Sequence, residues 1–382
     1  MSRLALVVAI VASGCTGVSS VPEAAETPRG PGEGEIRYVV HVSVDGLRPD
    51  AVTRQLGALP TFARLRAQAA FTDNARTDPD FSNTLPNHTA QLTGRGVTGP
   101  AGHGWDTNHD PGPAVTLHTN RGGYVASVFG VAHDHGLRTG LYASKAKFTL
   151  FDRSYGPDHG APDTTGASDG RDKVDVFVYD PDAGDLVDRF VEDLEADPYG
   201  YAFVHLRDPD TAGHLYGWRL WGWHPYMRAV RRVDGYLGTI LDAIESTPEL
   251  AGHTALVVTA DHGGRGHTHS AGDPQHYTVP FYVWAPGVPP GDLYALNADR
   301  VLDPEGARPG FGTALQPVRN GAAANVSLAL LGLPPVPGST INVRGELRVA
   351  PGVSTRETPL AVEPVGAEPG GALRSDTHRP SP

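Results

Sequence analysis

Acidic and histidine side chains recur in tight patterns along the sequence, and three of these patterns follow short apolar runs. Asp45 follows one run, Asp210 and His214 follow another, and the pair Asp261-His262 follows a third. A single aspartate after a strand is usually a turn or helix-cap residue, but three such clusters on one rim would repel each other. Divalent cations remove that repulsion, and mixed aspartate and histidine donors suit zinc. The pattern therefore predicts a metal site.

A fourth pattern supplies a hydroxyl nucleophile. Thr84 precedes Pro86 in the segment Ser82-Asn83-Thr84-Leu85-Pro86-Asn87-His88. This arrangement predicts that Thr84 caps a helix that runs to about Thr93, with Pro86 in its first turn. The positive end of a helix favours an alkoxide and anionic phosphoryl groups, and a metal on the same oxygen would lower its pKa. The structural role and the chemical role of Thr84 are therefore compatible.

The elements that must position these groups alternate along the chain. Short apolar runs predict buried parallel strands at 37–44, 139–144, 174–179, 201–206, 254–259 and 279–284. Helical patterns fall between them, at 59–69, 186–195 and 226–244. This order predicts an α/β fold with a doubly wound, mostly parallel central sheet and helices on both faces. In such sheets ligands bind at the carboxyl ends of the strands, where the Asp and His clusters lie.

Five motifs together resemble the alkaline phosphatase superfamily, and most closely its nucleotide pyrophosphatase/phosphodiesterase branch. In family order they are Asp45-Gly46, Thr84-Leu85-Pro86-Asn87-His88, His103-Gly104-Trp105-Asp106-Thr107-Asn108, Pro209-Asp210-Thr211-Ala212-Gly213-His214 and Ala260-Asp261-His262-Gly263. The likeness spans about residues 37–288. One motif alone is weak, but five in the family's order are specific.

The resemblance implies a two-metal hydrolase of phosphate esters, most similar to a phosphodiesterase. One cation, zinc by family likeness, would be held by Asp45, Thr84, Asp261 and His262. The other would be held by Asp210, His214 and a third histidine, for which the candidates are His267, His269 and His276. His269 has the best spacing to the apolar strand that ends near Val288, and we favour it.

The same likeness assigns the catalytic groups. Thr84 would attack phosphorus and form a phosphothreonine intermediate, and Asn108 would bind a non-bridging phosphoryl oxygen. The link between Thr93 and His103 is longer than is usual in the family.

Three alternatives remain at this stage. A phosphomonoesterase would use the same site with an arginine to offset the extra charge, and Arg48, Arg95 and Arg207 lie near the motifs. A sulfatase is less consistent with the sequence, because the chain lacks the Cys/Ser-x-Pro-x-Arg motif of that chemistry. A non-catalytic binding protein on the same fold would be expected to have lost some of these residues.

Two further groups of side chains have both functional and structural interpretations. Lys145 and Lys147 follow a predicted strand and would attract an anionic substrate, or would be solvated surface lysines. The segment 215–224 is rich in aromatic residues, which would stack on a substrate's leaving group or pack against the protein.

The composition is that of an acidic globular protein, with a net charge of −12 and 39 % hydrophobic residues. The charge argues against a nucleic-acid surface and leaves a small-molecule phosphoester as the expected partner. Ala12-Ser13-Gly14-Cys15 resembles a bacterial lipobox, which predicts export to the cell envelope with a lipid anchor at Cys15 as the only membrane attachment. The alternative is a plain secretory signal, which would leave the protein periplasmic or secreted. The expected organisation is a signal segment at 1–15, a tether at 16–35, one catalytic domain at 36–350 and a Pro-rich tail at 351–382.

Overall fold

The computed structural model describes residues 35–165, 170–270 and 272–349. The predicted signal segment with Cys15, nearly all of the tether and the Pro-rich tail lie outside the described residues. Export, the lipid anchor and the domain limits therefore stay predictions. In the described part of the chain, no helix combines the length and the apolar character needed to cross a membrane.

Eight strands form one mixed sheet in the order β4-β3-β5-β1-β6-β7-β2-β8. The strands are β1 Tyr38–Val44, β2 Ala70–Arg76, β3 Thr139–Ala143, β4 Val176–Tyr179, β5 Tyr201–Leu206, β6 Thr254–Thr259, β7 Thr278–Trp284 and β8 Gly291–Asp292. Strands β4, β3, β5, β1 and β6 are parallel, while β7 runs antiparallel to both β6 and β2. The predicted α/β class with a mostly parallel central sheet is confirmed.

Helices pack around this sheet in two groups. The helices are α1 Pro49–Arg54, α2 Pro60–Gln68, α3 Thr84–Thr93, α4 Leu117–Arg121, α5 Val128–Asp134, α6 Thr149–Tyr155, α7 Ala183–Ala196, α8 Asp208–Tyr216, α9 Pro225–Ser246, α10 Pro274–Tyr277, α11 Leu293–Leu296 and α12 Ala322–Leu330. Helix α12 packs on α3, α5, β1 and β6, whereas α9 packs on α2, α7 and α8. The sheet is thus covered by helices on both faces, as the doubly wound fold requires.

The central strands are apolar because both faces of the sheet are covered. All residues of β5 and β6 are buried, as are all of β1 except Tyr38. Helix α9 follows His224, whose side chain accepts a hydrogen bond from the amide of Tyr226, and Pro225 opens its first turn. Its apolar side chains, from Met227 to Ile244, recur on one face and are buried in the core.

Strand β7 differs from the sequence expectation of a parallel strand. A parallel return from β6 would need a crossover helix that covers the sheet, but in the described residues of the connection, 260–270 and 272–277, the only helix is the four-residue α10. The chain therefore turns back beside β6, with Thr259 paired to Phe281. The same edge continues into β2 and the two-residue strand β8, which the sequence patterns did not indicate.

Candidate active site

Three carboxylates lie at the carboxyl ends of three neighbouring strands. Asp45 follows β1, Asp261 lies two residues beyond β6, and Asp210 lies in the first turn of α8 after β5. Because β5, β1 and β6 are adjacent and parallel, these ends meet at one edge of the sheet. The amide of Asp210 donates to the carbonyl oxygen of Asp45 at 3.0 Å, which joins two of the segments directly.

Gly46 allows the end of β1 to approach the start of α8 closely. Its φ is +73°, and a Cβ at this position would lie 2.8 Å from the Cα of Asp210. The amide of Gly46 also donates to Asp261 Oδ1 at 3.1 Å. A residue without a side chain is therefore required where β1 meets α8.

Each carboxylate has one oxygen that is held by the protein. Asp45 Oδ2 accepts from His205 Nε2 at 2.9 Å and from Lys145 Nζ at 2.6 Å. Lys145 Nζ also donates to Asp210 Oδ2 at 2.7 Å. Asp261 Oδ1 accepts from the amides of Gly46 and His262.

The other oxygen of each carboxylate is buried and has no hydrogen-bond partner among the described residues. These atoms are Asp45 Oδ1, Asp210 Oδ1 and Asp261 Oδ2. All three face His262, whose Nε2 lies 3.5 Å, 4.0 Å and 3.1 Å from them respectively. Buried oxygens without partners are costly, and a bound cation would satisfy them. The donor set present here fits a divalent metal.

Histidine side chains complete this donor set. In the described part of the chain, two groups have donor atoms close enough to share an ion: Asp45 with Asp261 and His262, and Asp210 with His262 and His269. The rings of His262 and His269 are stacked, with centroids 3.7 Å apart and an interplanar angle of 11°. His262 therefore belongs to both groups, whereas the family resemblance assigns it to the first alone.

Backbone carbonyl groups select the tautomer of these histidines. Nδ1 of His262 contacts the carbonyl oxygen of Gly263 at 2.8 Å, and Nδ1 of His269 contacts that of Ser82 at 2.6 Å. An Nδ1–H donated to a carbonyl leaves Nε2 with the lone pair, which is the form that binds a metal. Burial also lowers the pKa of His269 to about 3, so its ring is neutral at physiological pH.

His214 lies beside the second group without belonging to it. Its Nε2 is 3.3 Å from Asp210 Oδ1, its Nδ1 contacts the carbonyl oxygen of His267 at 3.0 Å, and its ring centroid is 5.0 Å from that of His269. His267 is exposed and returns a contact to the carbonyl oxygen of His214. His276 is outside both groups. Of the three candidate histidines, His269 is the one that meets the carboxylates.

Thr84 is the first residue of α3 rather than its cap. Asn83 occupies the N-cap position and makes no side-chain cap bond, which corrects the sequence expectation for Thr84. The Thr84 hydroxyl is therefore not used by the helix. It is buried, and Oγ1 lies 3.5 Å from His262 Nε2. The helix N-terminus and the histidine thus present this hydroxyl beside the first donor group.

The rest of the threonine motif fixes α3. His88 Nδ1 contacts the carbonyl oxygen of Thr84 at 2.8 Å, and its Nε2 contacts Ser43 Oγ at 2.9 Å, which links α3 to β1. Asn87 Oδ1 accepts from the amide of Asp78, and its Nδ2 donates to the carbonyl oxygen of Phe81. The motif therefore sets the position of the helix start.

Asn108 lies next to this helix start. The side-chain oxygen Oδ1 of Asn108 accepts from the amide of Leu85 at 3.0 Å and from Lys147 Nζ at 3.4 Å. Lys147 Nζ also donates to the backbone carbonyl oxygen of Asn108 at 2.9 Å. Holding the carbonyl side of the amide leaves Nδ2 as the group that can donate to a ligand.

The electrostatics of the site favour added positive charge. Burial opposes ionisation of Asp45, but Lys145 and His205 outweigh it and hold its pKa well below the ordinary value. Burial, together with the charge of Asp45, raises the pKa of Asp261 well above its ordinary value. One ammonium group is thus not enough positive charge to keep all three carboxylates ionised, and bound cations would neutralise the remaining negative charge.

Two important residues were not recognised as such from the sequence. Lys145 is neither a surface lysine nor free for a substrate, since its side chain is 14 % exposed and binds Asp45 and Asp210. His205 is a lone polar residue in the apolar strand β5, and that position was the signal that it faces a polar group. It is buried against Asp45.

The arginines considered for binding extra phosphate charge are engaged elsewhere. Arg48 pairs with Asp50 and donates to two carbonyl oxygens. Arg95 donates to the carbonyl oxygen of Pro337, and Arg207 to the hydroxyl of Thr211.

In the aromatic segment 215–224, Trp218 is buried, whereas Trp221 and Trp223 are exposed.

Two solved structures illustrate the similarity of this fold to those of known proteins. A putative sulfatase from Bacteroides thetaiotaomicron matches with a TM-score of 0.51 and 14 % identity over 78 % of this chain and 71 % of its own. The C-terminal periplasmic domain of EptC from Escherichia coli matches with a TM-score of 0.51 and 14 % identity over 83 % of this chain and 87 % of its own. These identities establish similarity of fold alone.

Murine ectonucleotide pyrophosphatase/phosphodiesterase 5, as an inactive variant in complex with AMP, is 22 % identical with a TM-score of 0.43. That match covers 60 % of this chain and 57 % of the murine protein, so the chain spans little more than half of that relative. The model of the family described as type I phosphodiesterase / nucleotide pyrophosphatase matches residues 39–272. This match covers more than half of the chain and includes every candidate site residue from Asp45 to His269. The chain therefore belongs to the type I phosphodiesterase/nucleotide pyrophosphatase family.

Proposed function

We propose that this protein hydrolyses phosphodiesters with two divalent cations and with Thr84 as the nucleophile. The observation that carries the proposal is the division of the carboxylate oxygens at the strand ends. One oxygen each of Asp45, Asp210 and Asp261 is held by the protein, and the other is buried without a hydrogen-bond partner and faces His262.

The donors would be shared between two cations. Asp45, Thr84, Asp261 and His262 would hold the first, and Asp210, His214 and His269 the second. Oxygen and imidazole nitrogen donors of this kind suit zinc. When bound, such cations supply Lewis-acid neutralisation of the charge on the phosphoryl group and on the attacking and leaving oxygens.

The protein's own groups would perform the substitution. Thr84 Oγ1 would lose its proton to solvent and bond to phosphorus as the bond to the leaving oxygen breaks, and the leaving alkoxide would take up a proton. A water molecule would then bond to phosphorus as the bond to Thr84 Oγ1 breaks, with one water proton restoring the threonine hydroxyl and the rest of the water retained in the phosphate product. Asn108 Nδ2 would donate to a phosphoryl oxygen, where negative charge develops, and the positive end of α3 would favour the same charge. Leu85 and Lys147 keep the Asn108 amide in this orientation.

A diester fits this site better than a monoester. A monoester brings one more negative charge, which usually needs a positioned arginine. Arg48 is held by Asp50 and backbone carbonyl groups, and neither Arg95 nor Arg207 has a contact with the donor groups. Lys145, which does contact the donor groups, is bound to two of their carboxylates.

Metal content and substrate preference together test the function. Purified protein should contain about two zinc ions per chain by elemental analysis, as a two-metal mechanism requires. It should hydrolyse bis-p-nitrophenyl phosphate faster than p-nitrophenyl phosphate. A large preference for the monoester would show that the protein is a phosphomonoesterase and not a phosphodiesterase. Bound zinc without turnover of either ester would indicate a binding protein.

A further inference from the structure

Lys145 joins the two halves of the candidate cation site. It lies in the turn between β3 and α6, and its Nζ donates to Asp45 Oδ2 at 2.6 Å and to Asp210 Oδ2 at 2.7 Å. Those carboxylates belong to different donor groups, one with Asp261 and the other with His269. A single ammonium group thus bridges the ligands proposed for the first and the second cation.

The ammonium group and the cations would use opposite oxygens of the same carboxylates. Lys145 contacts Oδ2 of both residues, while Oδ1 of both is the buried oxygen without a hydrogen-bond partner that faces His262. Lys145 therefore does not compete for the ligand atoms. It acts on a bound cation through the position of the carboxylates and through its own charge.

The two effects of that charge have opposite signs. Asp45, Asp210 and Asp261 are buried carboxylates in contact with the same imidazole, and Lys145 is the ammonium group among them. Its positive charge reduces their mutual repulsion, so it stabilises the folded arrangement before cations enter. Once cations are seated, the same charge repels them across one carboxylate group.

The residue type agrees with this role. Only three of the 31 basic Lys and Arg residues in the chain are lysines, and two of them, Lys145 and Lys147, are in this one turn. An ammonium is compact and has three donors, so it can sit between two carboxylates, whereas a guanidinium is a broad planar fork. Lysine, the rarer of the two basic residues in this chain, is thus present where a compact cation is needed.

We propose that Lys145 is a positioning residue that holds Asp45 and Asp210 together in the cation-free protein and moderates the final affinity for the cations. The proposal rests on the two-cation function proposed above. It makes the site a preformed one that can take up and exchange ions without unfolding.

The test compares wild-type protein with Lys145→Met and with the matched control Lys147→Met. Lys147 lies in the same turn but its Nζ donates to Asn108. Thermal unfolding is measured with excess chelator and with excess zinc, and the zinc Kd is measured by competition with a chromophoric chelator.

For Lys145→Met we expect a lower Tm in chelator and a larger rise in Tm on adding zinc than in wild type. We also expect a zinc Kd lower by about tenfold, because an electrostatic change that shifts a pKa by roughly one unit changes a binding constant by the same factor. Lys147→Met should show a much smaller change in Kd. Unfolding of Lys145→Met in chelator with refolding in zinc is the same result in stronger form.

Other results would overturn the proposal. A purely structural lysine would lower both Tm values equally and leave the Kd unchanged. A zinc Kd of Lys145→Met raised 10- to 100-fold is typical when a residue that orients a metal ligand is lost. That result would show that Lys145 orients the carboxylates but that its charge does not weaken zinc binding.

Two measurements on wild-type protein keep the outcome decisive if Lys145→Met does not fold in either condition. A crystal structure of chelator-treated protein should keep Lys145 Nζ in contact with both carboxylates, and a side chain turned to solvent would contradict the proposal. Zinc titration of wild type separates the two hypotheses, since failure to bind zinc defeats the proposed function itself. Where Lys145→Met does fold, two zinc ions bound by wild type with no tighter binding by the variant would defeat this inference alone.

Discussion

The indole Nε1 of Trp218 donates a hydrogen bond to the carbonyl oxygen of Gly46 at 2.9 Å. The same buried ring lies against Gly213 and Gly264, where an added Cβ would be 2.3 Å from ring atoms. It also contacts His214 and His269 edge to face. One side chain thus fixes the end of β1, helix α8 and the loop after β6 relative to each other.

Gly46→Ala should separate these segments. A Cβ would collide with the backbone of Asp210, and the positive φ adds strain, so we expect a loss of at least ~2 kcal/mol in stability and a severe loss of turnover. Gly136→Ala is the matched control, because Gly136 has φ +77° but no atom within 4 Å of its Cβ position. Chemical unfolding and diester hydrolysis measure both effects. Equal turnover in the two variants would contradict the close approach of Gly46 and Asp210.

Thr84→Ala should leave zinc content largely intact while turnover falls at least ~10³-fold, because the variant loses the nucleophile and keeps the other donors. Thr84→Ser retains a hydroxyl at the start of α3 and should keep measurable activity. Steady-state hydrolysis of bis-p-nitrophenyl phosphate with parallel elemental analysis measures both variants. Near wild-type turnover in Thr84→Ala would remove Thr84 from the mechanism.

Ligand substitutions should remove the cations separately. Asp45→Asn changes the first donor group and His269→Ala the second, so each variant should retain about one zinc ion per chain in place of two. His267→Ala is the control, because this exposed histidine belongs to neither group and the variant should keep both ions. Elemental analysis after dialysis gives the counts. Loss of an ion from His267→Ala would shift the third histidine ligand to that residue.

Acid should destabilise the fold through His41. Burial lowers the pKa of His41 to about 3 from its ordinary value of 6.5. Between those pH values the unfolded chain binds a proton that the folded protein does not, so the free energy of unfolding falls as pH decreases. From pH 7 to pH 5, in chelator, His41→Leu should lose roughly 2 kcal/mol less than wild type in urea unfolding. Parallel losses in the two proteins would show that His41 does not contribute.

The sequence patterns predicted the strands of the site well and the antiparallel edge poorly. The strands 201–206 and 254–259 agree with the structure to the residue, because each is a fully buried apolar run. Strand β2 contains Asp73 and Asn74, and its register shifts between Thr72 and Ala75, so it shows neither an apolar run nor regular alternation. Strand β7 is buried on both faces, which gives parallel and antiparallel strands the same appearance in sequence.

Local spacing also could not define which side chains touch. Lys145 is separated by 100 residues from Asp45 and by 65 from Asp210, and its polar neighbours are supplied only by the order of the strands. The choice of His269 from three nearby histidines came from family spacing. The structure adds the physical reason, because the carbonyl of Ser82 orients its ring.

The carboxylates extend from β5, β1 and β6, three neighbours in the interior of the sheet that are joined by continuous parallel hydrogen bonding. Exchanges at exposed positions of the surface connections, such as Trp221 and Trp223 before α9, leave that interior ladder untouched. Exposed connections can therefore change in sequence while the sheet interior keeps the three carboxylates in register with one another.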